Sequence, residues 1–283
     1  MAKGDEMLFS FRSIPNSITT SLLKLRKSNG TDELVLDILQ GLYNCDYNVL
    51  LRSLQIWQIL EGKGHEDVKN PSWIKYFPEC HGEQKGCVEK IVKQCGNSIA
   101  LVSKVPRVSL SLAAQLLKKV RSLKIIHLLR DPRAIMKSRK VLEWTPPPAG
   151  SLSLCRKMAD DYLQSDIIKK DHPARLLTVF YEDLVTHPAE TVQMMYDFAG
   201  YDFDEKEQSR LSNMTGMTPG NMPISSDRKT SLQVAMEWRT KINLTFLNAI
   251  DPGCKDLYKI LGYPPLNSET DIHNSSIPLR IIG

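Results

Sequence analysis

The chain has 283 residues, 42% of them hydrophobic and 24% charged, with a formal net charge of +5. These proportions belong to a globular protein able to bury a full core, and they exclude a collagenous, low-complexity or disordered chain. No apolar run approaches the roughly 18–20 residues that span a bilayer, and no apolar signal region follows Met1-Ala2-Lys3-Gly4-Asp5-Glu6. Read as written, the chain is expected to be soluble and to carry no targeting or membrane-spanning segment.

Thr31 to Tyr43 reads as a helix, with Thr31 as its cap, Asp32 and Glu33 in the first turn and a stripe of Leu34, Ile38 and Leu42. Asp46 to Leu60 is predicted as a second helix, ended by Gly62. Residues 62–96 read as irregular. Ser98 to Val102, a short apolar run, predicts a buried strand. Ser109 then caps a helix reaching Val120, and Leu123 to Leu129 is the next strand. Three consecutive prolines between Thr145 and Ala149 mark a rigid loop.

Leu152 to Lys169 is predicted helical, Arg175 to Phe180 a third strand, and Pro188 to Ala199 a helix closed by Gly200. Ser212 to Lys229 lacks periodicity and reads as a long functional loop. Helices are expected around Val234–Arg239 and over Leu244–Leu261, followed by a peripheral tail after Pro264. Strands separated by helical stretches imply an α/β fold, a parallel sheet flanked by helices. Such sheets bind ligands at the carboxyl ends of their strands, and Arg130, Lys104 and Tyr181 fall at those ends by this count.

Cys45, Cys80, Cys87, Cys95, Cys155 and Cys254 permit a disulfide framework. Cys80, Cys87 and Cys95 cluster near glycines, as in a stapled loop, and no Cys-x-x-Cys pair marks a zinc site. Asn29, Asn213, Asn243 and Asn274 each open an Asn-x-Ser/Thr sequon. Both features point to a secretory compartment.

Charge is concentrated in one place. Between Lys104 and Lys140 eleven Lys or Arg residues face a single acid, Asp131, so this window nets +10 and the remainder of the chain −5. Within it, Leu129-Arg130-Asp131-Pro132-Arg133 joins a buried-looking strand to a helix that Asp131 can cap and Pro132 can begin. Helix N-termini attract anions and guanidinium groups grip phosphate oxygens in pairs, so the strand end reads as a phosphate site. No aromatic residues interleave with the basic ones, which speaks against nucleic acid.

Arg130-Asp131-Pro132-Arg133-Ala134 followed by Ser138-Arg139 resembles the 3′-phosphate-binding motif of sulfotransferases, most closely the carbohydrate 6-O-sulfotransferases. Phe180-Tyr181-Glu182-Asp183-Leu184 with His187-Pro188 looks like that family's strand-to-helix turn. Trp238-Arg239, Cys254 with Leu261-Gly262-Tyr263, and Cys45-Asp46 are similar to further family elements.

The resemblance implies a P-loop-NTPase-like fold over residues 31–263, with a divergent segment 1–30 before it and a tail 264–283 after it. It implies sulfate transfer from PAPS (3′-phosphoadenosine 5′-phosphosulfate) to a hydroxyl of a glycan or proteoglycan, the 6-O of GlcNAc, Gal or GalNAc, in the Golgi lumen and without a metal. By the same resemblance Arg130, Asp131, Arg133 and Ser138 belong to the cofactor-binding set: Arg130 and Ser138 hold the 3′-phosphate, Arg133 sits at the loop–helix junction and Asp131 organises the turn. Tyr181 stands either beside the adenine or in the core, and Arg228 covers the phosphate from the late loop.

The match has gaps. The family's opening strand, its Ser/Gly-rich 5′-phosphosulfate loop and the helix after it have no counterpart in the sequence. Membrane association is expected only if a preceding anchor exists. Where cytosolic relatives carry a histidine after the second strand, this chain has Lys104-Val105-Pro106-Arg107. His127, His172 and His187 carry no catalytic assignment, and the base is unknown. The alternative reading is a truncated, inactive relative that binds nucleotide or glycan only.

Overall fold

The computed structural model describes residues 7–12, 31–46, 49, 84–106, 108–141, 149–217 and 230–281. The chain divides into two compact units, Met7–Ile126 and His127–Gly283. The predicted helix from Asp46 to Leu60, the proline loop and the central part of the Ser212–Lys229 loop lie largely outside the described residues.

In the unit Met7–Ile126, helix α1 (Thr31–Tyr43) has the predicted bounds. Its buried face is broader than the predicted stripe and holds Val35, Leu36, Ile38, Leu39, Leu42 and Tyr43. Helix α2 (Gln84–Asn97) replaces the irregular structure expected there. Gly86 and Gly96 suggested breaks, but Val88, Ile91, Val92 and Cys95 recur at helical spacing, a signal that the glycines and cysteines masked. Cys95, on α2, pairs with Cys45, their Cα atoms 5.8 Å apart, so its partner lies outside the presumed cysteine staple.

Strand β2 (Leu101–Pro106) begins three residues later than predicted, after α2 runs on to Asn97. It alternates, with Leu101, Ser103 and Val105 buried while Val102 is exposed, so only one face is covered. The Tyr43 and Ser103 hydroxyls hydrogen-bond, tying α1 to β2. Strand β1 (Met7–Arg12) was not predicted; it pairs antiparallel with β2, Met7 opposite Pro106 and Arg12 opposite Leu101. A partner so far along the chain leaves no local signature. Helix α3 (Leu110–Lys119) starts at the predicted cap, Ser109, whose side chain accepts from the Leu112 amide.

The unit His127–Gly283 carries the remaining expectations. Strand β3 (Ile125–Leu129) is buried along its whole length, as a strand covered on both faces must be. Helices α4 (Pro132–Val141) and α5 (Ala149–Asp171) lead to β4 (Leu176–Phe180), the neighbour of β3 in the sheet. A helical crossover of this length is the connection of a parallel pair. The α/β class, a parallel sheet flanked by helices, therefore holds; the unit Met7–Ile126 contributes an antiparallel pair of its own, β1–β2.

Short α6 (Tyr181–Thr186), then α7 (Pro188–Ala199) and α8 (Glu205–Thr215) follow, the last occupying the start of the expected loop. Asp204 caps α8 by accepting from the Glu207 amide. Helix α9 (Ser231–Met236), a 3₁₀ turn (Arg239–Lys241), α10 (Leu244–Leu261) and α11 (Glu269–His273) complete the unit.

Helix α10 packs on α5 through Leu154, Met158, Ile250 and Leu257, with Leu129, Ile135 and Met136 in the same core. The approach is close. A Cβ on Gly253 would stand 2.9 Å from the Leu152 Cα, so a larger residue there forces the helices apart. The Cys155–Cys254 disulfide joins the same two helices.

The tail is not peripheral. Leu266, Ile272 and Leu279 are buried, and Ile281 donates its amide to the Gly262 carbonyl at 2.7 Å. Spaced among polar residues and short of a full helical period, these anchors could not be read as a pattern.

Candidate functional site

Arg130 directly follows the last residue of β3, and the turn into α4 is built by its neighbours. Asp131 Oδ1 accepts from the Arg133 amide at 2.8 Å, the cap that the sequence predicts, with Pro132 as the first helical residue. The same carboxylate takes the Arg133 guanidinium side-on, through Nε at 3.0 and 3.1 Å and a terminal nitrogen at 2.7 Å. The other terminal nitrogen donates to the Pro264 carbonyl at 2.9 Å.

Arg133 is 1% exposed and Asp131 2%, and the guanidinium carbon lies 4.5 Å from the Tyr258 ring centroid and 5.6 Å from that of Trp238. Burial alone would lower the Arg133 pKa, but the charge and hydrogen bonds of Asp131 outweigh it and hold it above the ordinary value. Arg133 and Asp131 are thus turned inward. Expected among the ligand-binding residues, they face each other, and each guanidinium nitrogen of Arg133 has a partner within the protein.

Arg130 differs. It is only partly buried, its Nε has no hydrogen-bond partner among the described residues, and its guanidinium carbon lies 4.4 Å from the Tyr181 ring centroid. Tyr181 is the first residue of α6 and follows the end of β4 directly. The sequence left Tyr181 between a ligand contact and a core position; it is half-buried against Arg130. Ser138 lies on α4, half-buried, about two turns beyond the cap. Arg228 lies outside the described residues. Lys104, expected at a strand end, is inside β2 opposite Phe9.

Glu182 is the residue that sequence reasoning quoted without a role. It is 4% exposed, yet one carboxylate oxygen accepts from the Asp131 amide at 2.9 Å and the other from the Tyr263 hydroxyl at 3.1 Å. Burial, with the Asp131 charge second, raises its pKa to about 7. The Tyr263 hydroxyl is pushed up as well, by burial and then by Glu182. The sequence signal was an acid two residues past the apolar end of a strand.

Two arginines anchor the back of this network. Arg239 is buried and donates to the Ile277 and Pro278 carbonyls at 2.7 and 2.9 Å. Arg280 grips Asp183 at 2.8 and 3.1 Å, donates to the Leu261 carbonyl at 2.9 Å and covers the Phe180 ring.

His127 is buried within β3, and His187 forms the junction between α6 and α7 with its Nδ1 3.0 Å from the Thr186 hydroxyl. Among the described residues no group of His, Cys, Asp and Glu is composed to hold a metal ion. None of the helices among those residues is long and apolar enough to cross a membrane.

Comparison with known proteins finds one family model and several relatives. A family model described as "Sulfotransferase family" matches residues 66–205, which include Arg130, Ser138, Tyr181 and Glu182. Human carbohydrate sulfotransferase 2 is 26% identical over 85% of this chain and 57% of its own length. Carbohydrate sulfotransferase 1 of Danio rerio is 28% identical over 56% of this chain and 42% of its own. Carbohydrate sulfotransferase 4 of Mus musculus is 25% identical over 56% and 46% respectively. The chain spans about half the length of the curated relatives it matches. The strand-end arginine and the capped helix thus lie within the stretch over which the chain is similar to the sulfotransferase family.

Proposed function

We propose that this chain binds PAPS at the β3–α4 turn and transfers its sulfuryl group to a glycan hydroxyl, with the 6-O of GlcNAc, Gal or GalNAc as acceptor, in the Golgi lumen. The observation that carries the reading is Arg130. It is a guanidinium at the carboxyl end of a buried strand, stacked on Tyr181, with Nε unpartnered among the described residues.

In this reading Arg130 supplies a planar, permanently charged fork for the 3′-phosphate, and Ser138 a hydroxyl donor from the same side of α4. Asp131 and Arg133 keep the turn rigid, so the fork is preorganised before the ligand arrives. Tyr181 holds the guanidinium plane and offers a ring edge to the nucleotide. Transfer itself is in-line attack of the sugar oxygen on sulfur. The S–O bond to the leaving phosphate breaks as the new one forms, and the hydroxyl proton passes to a base, which is left unassigned. The carbohydrate sulfotransferase names of the relatives support the acceptor class.

The test is calorimetric titration of the full chain with desulfated PAPS, followed by radiolabelled sulfate transfer to GlcNAc-, Gal- and GalNAc-terminated acceptors. Saturable binding and transfer to one sugar support the proposal. Binding with no transfer to any of them reduces the chain to a nucleotide-binding module, and no binding removes the phosphate site.

A further inference from the structure

Glu182 occupies an unusual position for a carboxylate. It is almost wholly enclosed, and each of its oxygens takes one donor from a different part of the fold: the Asp131 amide at the end of β3 and the Tyr263 hydroxyl after α10. A buried carboxylate with no cation in direct contact among the described residues is costly, and two hydrogen bonds offset only part of that cost. A hydrophobic residue of the same size would pack at lower cost, so a packing role alone does not account for it.

The two dipeptides Arg130-Asp131 and Tyr181-Glu182 are cross-connected. Arg130 stacks on Tyr181, and Glu182 holds the Asp131 amide. The peptide that Glu182 grips is therefore the one linking Arg130 to its capped helix. Displacing that amide turns the Arg130 backbone and slides its guanidinium off the ring.

We propose that Glu182 is a positioning residue for the anion site, fixing Arg130 by holding the Asp131 amide against the Tyr181 end of β4. The inference rests on the phosphate reading given above and extends it to a residue that touches no ligand.

A consequence follows for its pH dependence. Facing Glu182 are Asp131, with Arg133 beyond it, from the α4 turn; Tyr263 after α10; Arg239 from the 3₁₀ turn; and Arg280 from the tail, close to Tyr263. Ionised, Glu182 accepts from both donors and locks the turn. Protonated, it must donate its own hydrogen, and one of the two contacts has to reverse or break. Its pKa of about 7 places that change near neutrality. Glutamine imitates the protonated form, since its amide nitrogen must face either the Asp131 N–H, losing that contact, or the Tyr263 hydroxyl, which then has to reverse and accept.

The experiment is a titration of the full chain and its Glu182→Gln variant with desulfated PAPS from pH 5.5 to 8.5, read as the ratio of the two affinities so that titration of the ligand cancels. Amide hydrogen exchange of the peptide containing Asp131 is followed on the same proteins without ligand. We expect the wild type to bind about tenfold tighter above pH 7.5, the loss expected for one hydrogen bond to a charged group. The gap closes below pH 6, and the Asp131 peptide exchanges faster in the variant. Tyr263→Phe, which removes one donor and leaves the ring in place, shifts the midpoint of wild-type-like behaviour to higher pH because the carboxylate loses a partner.

A ratio that is flat with pH, or a variant that binds more tightly at high pH, overturns the positioning role. In the second case the carboxylate acts only by repelling the anion. Unchanged exchange at Asp131 overturns it without reference to any ligand. Absence of binding by the wild type at every pH overturns the phosphate reading itself, and the exchange comparison tells the two failures apart.

Discussion

The Arg130 guanidinium carbon lies 4.4 Å from the centroid of the Tyr181 ring, joining the ends of two neighbouring strands. A cation held over an aromatic face keeps its charge while losing rotational freedom, the condition for gripping an anion without first ordering a side chain.

Arg130→Ala should weaken desulfated PAPS binding by about 10–100-fold, the range for charge-assisted hydrogen bonds removed from a phosphate. Tyr181→Phe keeps the ring and should leave affinity nearly unchanged, whereas Tyr181→Ala should cost several-fold. Calorimetric titration of the three variants decides this, and equal affinity for Arg130→Ala and wild type would remove the site.

Arg133→Met should act on stability. Removing one partner of a buried ion pair strands Asp131 and costs about 3–5 kcal/mol. Adding Asp131→Asn to Arg133→Met should recover part of that loss, because no uncompensated charge then remains. Denaturant unfolding of the single and double variants measures it, and strict additivity would show that the pair is not coupled.

Glu182 should leave a signature in the pH dependence of stability. Its folded pKa, about 7, lies above its ordinary value of 4.5, so between those pH values the folded state binds more protons than the unfolded one. Stability is therefore highest below the lower value and falls as pH rises through the window, by about 3 kcal/mol in total. Relative to Glu182→Gln, the wild type should lose stability between pH 5 and 7.5. Parallel unfolding curves for the two proteins across that range would contradict the assignment.

The Cys155–Cys254 disulfide closes a long stretch of chain and joins α5 to α10 across the core. Cys254→Ser should cost about 2–5 kcal/mol in oxidised protein. Peptide mapping without reduction should recover the two cysteines in one linked fragment, and alkylation of both in unreduced protein would exclude the bond.

The sequons are placed for modification. Asn213, Asn243 and Asn274 are exposed. Asn243 accepts from the Phe246 amide and Asn274 from the Ser276 amide, each at 2.9 Å through its oxygen, which leaves the glycan-bearing nitrogen outside those bonds. Protein passed through a secretory pathway should lose mass on treatment with an N-glycosidase, with one step removed by each Asn→Gln substitution. An unchanged mass would argue against a lumenal address.

By itself the sequence determined the local grammar of the site. The helix bounds Thr31–Tyr43, Pro188–Ala199 and Leu244–Leu261, the Ser109 and Asp131 caps, and Arg130 at the end of a buried strand were all legible. Each depends on neighbours a few residues away, through hydrophobic period and capping chemistry.

Only the tertiary structure separated the arginines of the basic motif. Arg130 and Arg133 look alike in a run of letters, but Asp131, Tyr258 and the Pro264 carbonyl draw Arg133 into the core and leave Arg130 on Tyr181. It also paired Cys45 with Cys95, made β1 a strand and brought Leu266, Ile272 and Leu279 into the core. Every one of those outcomes is a contact between residues distant in sequence. Such a contact exists only once the chain has folded, so no local pattern of residue types encodes it.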